Sequence, residues 1–300
     1  MPLPSPVNEL WNVWRDLEGH TSKAVIVNLY GAPGTARDAI RELFLNGSQR
    51  PGALRVLDLP TDARPEADLN VVVLDPSFGP THAELATLRK LDSKSLVIVL
   101  MGGDPRQGEA RRREVATSVG VKPDQIVMAP TLTELRQQLV KRVLERFEEE
   151  TLPLARQFPF LREEAANSEI RSTAQQNALV GVIPVPGADM PVMTANQIKM
   201  VLRLAAIYDQ TMSVERAREV LVVLGGGFAF RTVARQLAKF VPGPGWIVGG
   251  AVGYSGTLAL GKAAIEYFRH VAAPVEPLRR TPEGAPIIDT DARPVEQTES

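Results

Sequence analysis

From Ala24 onward the chain alternates short apolar runs with amphipathic stretches: AVIVNLYG from Ala24, LRVLDLP from Leu54, LNVVVLDPS from Leu69, SLVIVLMG from Ser95 and QIVMAP from Gln125. Between and after them come RDAIRELFLNG, HAELATLRKL, ARRREVATSVG and TLTELRQQLVKRVLERFEEE, which carry apolar residues at helical spacing. Continuous apolar strands separated by helices are the pattern of a sheet buried on both faces, so the strands are expected to be mainly parallel and doubly wound. This predicts an α/β domain over residues 23–148.

The rest of the chain reads differently. Residues 149–272 are long helical stretches rich in alanine, glycine and leucine, broken at VPVPG and VPGPG by turns that a helix does not pass through smoothly. They predict a separate all-α unit with Gly-rich hydrophobic helices. Residues 273–300 are rich in proline and charge and predict a disordered tail. In residues 1–22, Val7, Leu10, Trp11, Trp14 and Leu17 share one helical face, which predicts an amphipathic helix that docks on the following domain or lies on a bilayer.

Composition narrows the function classes. Lys plus Arg (34) nearly balances Asp plus Glu (35), so no global basic field points to nucleic acid. With no cysteine, disulfides, thiolate zinc sites and iron–sulfur clusters are excluded. His20, His82 and His270 lie far apart in sequence, without metal-ligand spacing, and are read as structural or surface residues. The start MPLPSPVNEL has neither the cationic nor the apolar region of a secretion signal, so a cytoplasmic location is expected.

The first strand runs into Gly31-Ala32-Pro33-Gly34-Thr35-Ala36-Arg37-Asp38 and then a helix. A phosphate-binding loop has this position, with spacing G-x-x-x-x-G-K-[ST], where backbone N–H groups wrap the phosphates. Here Ala36 stands for the second glycine, Arg37 for the lysine and Asp38 for the magnesium-binding hydroxyl. Further along, Asp58-Leu59-Pro60-Thr61 falls at the D-x-x-G position and Met101-Gly102-Gly103-Asp104 at the guanine-reading N-K-x-D position, with Met128-Ala129-Pro130 at the S-A loop. In order and spacing, about residues 10–148 resemble an Era-like GTPase, a P-loop G domain, with degraded motifs. The resemblance implies nucleotide-binding positions at Gly31, Gly34, Ala36, Arg37, Asp38, Asp58, Thr61, Met101 and Asp104, of which Gly31, Asp58 and Asp104 keep the family residue. No cofactor is expected, and no catalytic or metal-binding residue. A flavodoxin-like or Rossmann domain is the alternative left open by the pattern of elements.

In the helical half, TAQQNALVGVIPVPGADMPVMTANQIKMVLRLAAIY and GGGFAFRTVARQLAKFVPGPGWIVGGAVGYSGTLALGKAAIEYF resemble the helical domain of unknown function 697, found behind Era-like GTPases and in a bacterial inner-membrane protein family. The resemblance implies no known catalytic activity. Residues 240–261 carry no ionisable side chain but Tyr254, and their helix-capable part, from Gly245 onward past the two prolines, falls just short of a bilayer span of about 20 residues. Gly245, Gly249 and Gly253 form one small-residue row, and Ala251, Ser255 and Ala259 another; either suits a tight helix crossing in water or lipid. Arg231, Arg235 and Lys239 recur every four residues just before this segment, as snorkelling cations or a solvated face. Asn196, Lys199 and Arg203 share one helical face, with Asp189 ahead of it. They form a polar set read as a structural network or a site.

Three functions stay open on these grounds. One is a pseudo-GTPase scaffold or interaction protein, cytoplasmic and peripheral or integral at the inner face of the membrane, with a protein partner, self-association or a membrane surface. Another is an atypical GTPase needing GTP and magnesium. The last is a membrane module handling a small ligand or ion.

Overall fold

In the computed structural model, the described residues are 24–48, 50–61, 65–102, 105–147, 151–182, 189–210, 220 and 245–271. The N-terminal stripe of Val7 to Leu17, Asp104, the cations Arg231, Arg235 and Lys239, and the tail lie outside them.

Strands β1 (Val27–Gly31), β2 (Leu54–Asp58), β3 (Leu69–Leu74), β4 (Leu96–Met101) and β5 (Ile126–Ala129) form one sheet. Every pairing is parallel, in the order β2-β1-β3-β4-β5. This is the flavodoxin-like order, in which the chain reverses its direction of winding between β1 and β3 and ligands sit beyond the strand ends at that point. The apolar runs predicted from sequence are the strands, and β1, β3 and nearly all of β4 and β5 are buried because helices cover both faces. On one face Val27, Leu29, Val71, Val97 and Val99 meet α1 (Thr35–Leu45) and α4 (Leu132–Arg146). On the other, Tyr30, Val72, Ile98 and Leu100 pack with residues of α2 (His82–Leu88) and α3 (Pro105–Val119). Strand β2 stands at the edge and is partly exposed.

The helical half consists, among the described residues, of α5 (Thr151–Gln157), α6 (Arg162–Val182), α7 (Asp189–Ile207) and α8 (Gly245–Val271). Its core is continuous with the first sheet face. Phe44 of α1 meets Phe158 and Phe160 edge-on, with ring centroids 5.1 Å and 4.8 Å apart. The buried Gln157 side chain accepts from the Val25 N–H at 3.1 Å and donates to the Val25 carbonyl at 2.7 Å, capping the start of β1 as a strand neighbour would.

Helix α7 runs antiparallel to α6, because Asn196 reaches Asn177 while Arg203 reaches Glu169. Just past its end at Ile207, Asp209, with φ of 61°, and the bond from the Gln210 N–H to the Ala205 carbonyl make a left-handed cap. Arg156 holds the Asp209 carboxylate at 2.5 Å. Burial pulls the Arg162 guanidinium below its ordinary range, countered by the nearby Asp209 charge. A hydrogen bond to Tyr208 pushes Arg269 up.

Candidate functional site

At the C-terminal end of β1 the backbone comes so close to β3 that a Cβ on Gly31 would stand 3.3 Å from both the Cβ and the carbonyl oxygen of Val73. Glycine is needed there for proximity. Gly34 is needed for its conformation, since it precedes α1 at φ 156°, which L side chains rarely adopt. Two glycines therefore shape the turn. Ala36 is half-buried and its methyl packs on the main core.

Arg37 fills the turn. Its Nη1 donates to the Gly31 carbonyl at 3.1 Å and to Asp58 Oδ1 at 2.6 Å, while Nε lies 3.7 Å from Asp38 Oδ1. The Arg37 side chain is 12% exposed and its Nε is buried with no hydrogen-bond partner, whereas the Asp58 side chain is 75% exposed. One guanidinium thus ties together the ends of β1 and β2 and the first turn of α1. An arginine whose charge is met by two carboxylates of its own chain presents little net positive charge to an incoming anion. Of the positions named from sequence, Gly31, Arg37, Asp38 and Asp58 are brought together, with Gly34 opening the helix beside them.

The others are not. Thr61 is turned to α2, where Thr87 Oγ1 donates to its carbonyl at 3.0 Å. Met101 packs at the edge of the main core at the end of β4. Asp104 is outside the described residues.

The polar set of the helical half also divides. Asn196 belongs to an interior network: its Nδ2 donates to Asn177 Oδ1 at 2.9 Å, Asn177 Nδ2 donates to Thr257 Oγ1 at 2.9 Å, and Thr257 donates to the Gly253 carbonyl at 2.7 Å. Gln197 Nε2 adds a longer bond to Thr257 at 3.4 Å. Arg203 instead makes a surface pair with Glu169 at 3.0 Å. Asp189 opens α7, and its side chain lies outside the description.

Asn177 and Thr257 are not in the polar set read from sequence because an uncharged amide after Gln175 and Gln176 and a lone hydroxyl do not stand out locally; the bond between them joins residues 80 apart. Replacing Asn177, which is fully buried, by alanine takes the partner from the Asn196 amide and the shortest donor from Thr257 Oγ1. The expected cost is about 2–3 kcal/mol, read from urea unfolding midpoints.

The small-residue rows behave in the same way. Among the described residues, Gly250, Gly253 and Gly261, with Thr257 between them, form a row in contact; of the four-spaced row Gly253 belongs to it, and the surroundings of Gly245 and Gly249 lie outside the description. A Cβ on Gly250 would meet the Ala178 carbonyl oxygen at 3.2 Å, on Gly253 the Asn177 carbonyl oxygen at 2.7 Å, and on Gly261 the Ile170 side chain at 2.5 Å. Ala251 is exposed, and Ser255 bonds back to its carbonyl. No helix among the described residues is long and apolar enough to cross a membrane.

With this geometry in view, a family model described as a domain of unknown function (DUF697) matches residues 154–277. The chain is also 26% identical over 117 residues to the magnetosome membrane protein 22 of Magnetospirillum gryphiswaldense (strain DSM 6361 / JCM 21280 / NBRC 15271 / MSR-1), covering 36% of this chain and 60% of that protein. The match thus spans less than two-thirds of the relative's length.

Proposed function

We propose that this chain, which matches a family of unknown function over residues 154–277 and is similar to a magnetosome membrane protein, is a non-catalytic scaffold that works at a membrane surface, with a degenerate G domain as its support. The observation that carries the first part is Arg37. It lies in the strand-end turn, bound to Asp58 and the Gly31 carbonyl, where a working phosphate loop leaves room for a lysine and a nucleotide. Asp38 adds a carboxylate at the same helix end, where it opposes a polyphosphate. The membrane part is supported by the relative's name and by the family match.

The test is a thermal-shift titration of the full chain with GTP and GDP in the presence of magnesium. A ligand present at 100 times its Kd adds about 2.7 kcal/mol to stability, which moves the midpoint of a domain of this size by several degrees. No shift beyond about 1 °C is expected at millimolar nucleotide. A rise of several degrees overturns the reading in favour of an atypical GTP-binding protein.

A further inference from the structure

The described part of the α6, α7 and α8 bundle is charged at one end and, apart from Asp189, uncharged at the other. Counting from the end where α6 stops and α7 begins, the first ionisable residue met on α6 is Arg171, on α7 beyond Asp189 it is Lys199, and on α8 beyond Tyr254 it is Lys262. All three are basic. They fall at nearly one height, within about a helical turn or two, because Asn177 meets Asn196 and a Cβ on Gly261 would meet Ile170. Arg171 keeps an exposed pair with Glu164 at 2.7 Å. Beyond this level, away from the uncharged end, charges of both signs alternate: Glu169 with Arg203, and Glu163 and Glu266 with Arg269.

Above the basic level the bundle turns apolar outward as well as inward. Leu179 is 70% exposed, Val182 40%, Val192 46% and Tyr254 37%. They sit on three helices around the same end, since a Cβ on Gly250 would lie 2.9 Å from Val182 and one on Gly253 3.0 Å from Met193. The polar groups inside this end are joined to one another through Asn177, Asn196, Gln197 and Thr257. An interior of that kind costs little to move into a medium that offers no hydrogen bonds. From Asn177 to Val182 the cap is six residues deep, about 9 Å. That matches the roughly 5–10 Å to which interfacial helices sink their apolar faces, and it is well short of a span. The exposed Gln175, Gln176 and Ser172 lie between the cap and the basic level, where headgroups and water meet.

We infer that this uncharged end of the α6–α7–α8 bundle inserts shallowly into one leaflet of an anionic bilayer, with Arg171, Lys199 and Lys262 at the headgroups. The inference rests on the membrane-surface reading above and gives it a docking face and a depth. Asp189, at the first position of α7, is the one acidic residue at that end among the described residues, and its desolvation is a cost that insertion has to offset.

The test is flotation of the full chain with vesicles of equal parts phosphatidylglycerol and phosphatidylcholine, and with phosphatidylcholine alone. The wild type is expected to float with the anionic vesicles. L179E/V192E, at positions already exposed, should weaken this by about tenfold or more, and R171Q/K262Q by severalfold with loss of salt sensitivity. Y254E replaces the double variant if circular dichroism shows that it has lost helix. Wild type that floats with neither vesicle sinks the membrane-surface reading and the inference together. Wild type that floats while both acidic variants float equally well overturns the inference alone. A dimer in the absence of lipid that L179E/V192E dissociates, with vesicle binding unchanged, reassigns the cap to self-association and overturns it too.

Discussion

Replacing Gly253 by alanine is expected to destabilise the protein by about 3 kcal/mol, because one methyl has nowhere to go. The added Cβ would lie 2.7 Å from the Asn177 carbonyl oxygen, which is backbone in the middle of α6, and 3.0 Å from Met193. A flexible side chain could swing aside, but a helix carbonyl moves only with its helix. The separation that follows also stretches the Asn177 to Thr257 bond of 2.9 Å. Gly256→Ala, three residues away on the same helix, is the control. A Cβ there meets nothing within 4 Å, so the substitution removes only the flexibility of glycine in a helix and is expected to stabilise by about 0.5–1 kcal/mol. Equilibrium urea denaturation of both variants gives opposite signs if the α6–α8 crossing is as close as described. Equal small effects would mean that it is not.

Phe158→Ala carries the other large effect, an expected loss of about 3–5 kcal/mol. Phe158 is fully buried against Phe44, in the core that joins the sheet to the helical half. Emptying it therefore weakens both halves at once. Unfolding followed by tryptophan fluorescence and by far-ultraviolet circular dichroism should shift together to lower urea, as one cooperative transition. Two separated transitions, with the sheet unaffected, would show that the halves do not share stability.

The basic framework was legible in the sequence for a simple reason. Period and length distinguish buried strands from amphipathic helices, and both are local. LNVVVLDPS and SLVIVLMG are apolar without alternation, which happens only when both faces are covered, and both strands are central in the sheet. The position of the turn after β1 was legible too, from Gly31 and Gly34. What fills that turn was not. Arg37 could be read as a damaged phosphate ligand, but its partner Asp58 is 21 residues away, and only the parallel pairing of Gly31 with Asp58 makes them neighbours.

The helical half shows the same division. Four-residue spacing predicts a row through Gly245, Gly249 and Gly253, of which Gly253 is in contact while the surroundings of the other two lie outside the description. The row in contact advances by three, four and four through Gly250, Gly253, Thr257 and Gly261 and stays on one face. Which face that is depends on where α6 lies. Likewise, helical spacing predicts one face for Asn196, Lys199 and Arg203, but the depth of Asn196 and of Arg203 is set by the neighbour of each, Asn177 inside and Glu169 at the rim. The sequence by itself determined the elements, their order and the uncharged stretches, because these depend on side chains close along the chain. Tertiary structure alone decided that Arg37 closes on Asp58, that the two halves share a core, and that three separate uncharged stretches meet at one end. Each of these depends on distances between residues remote in sequence, which local periodicity does not encode.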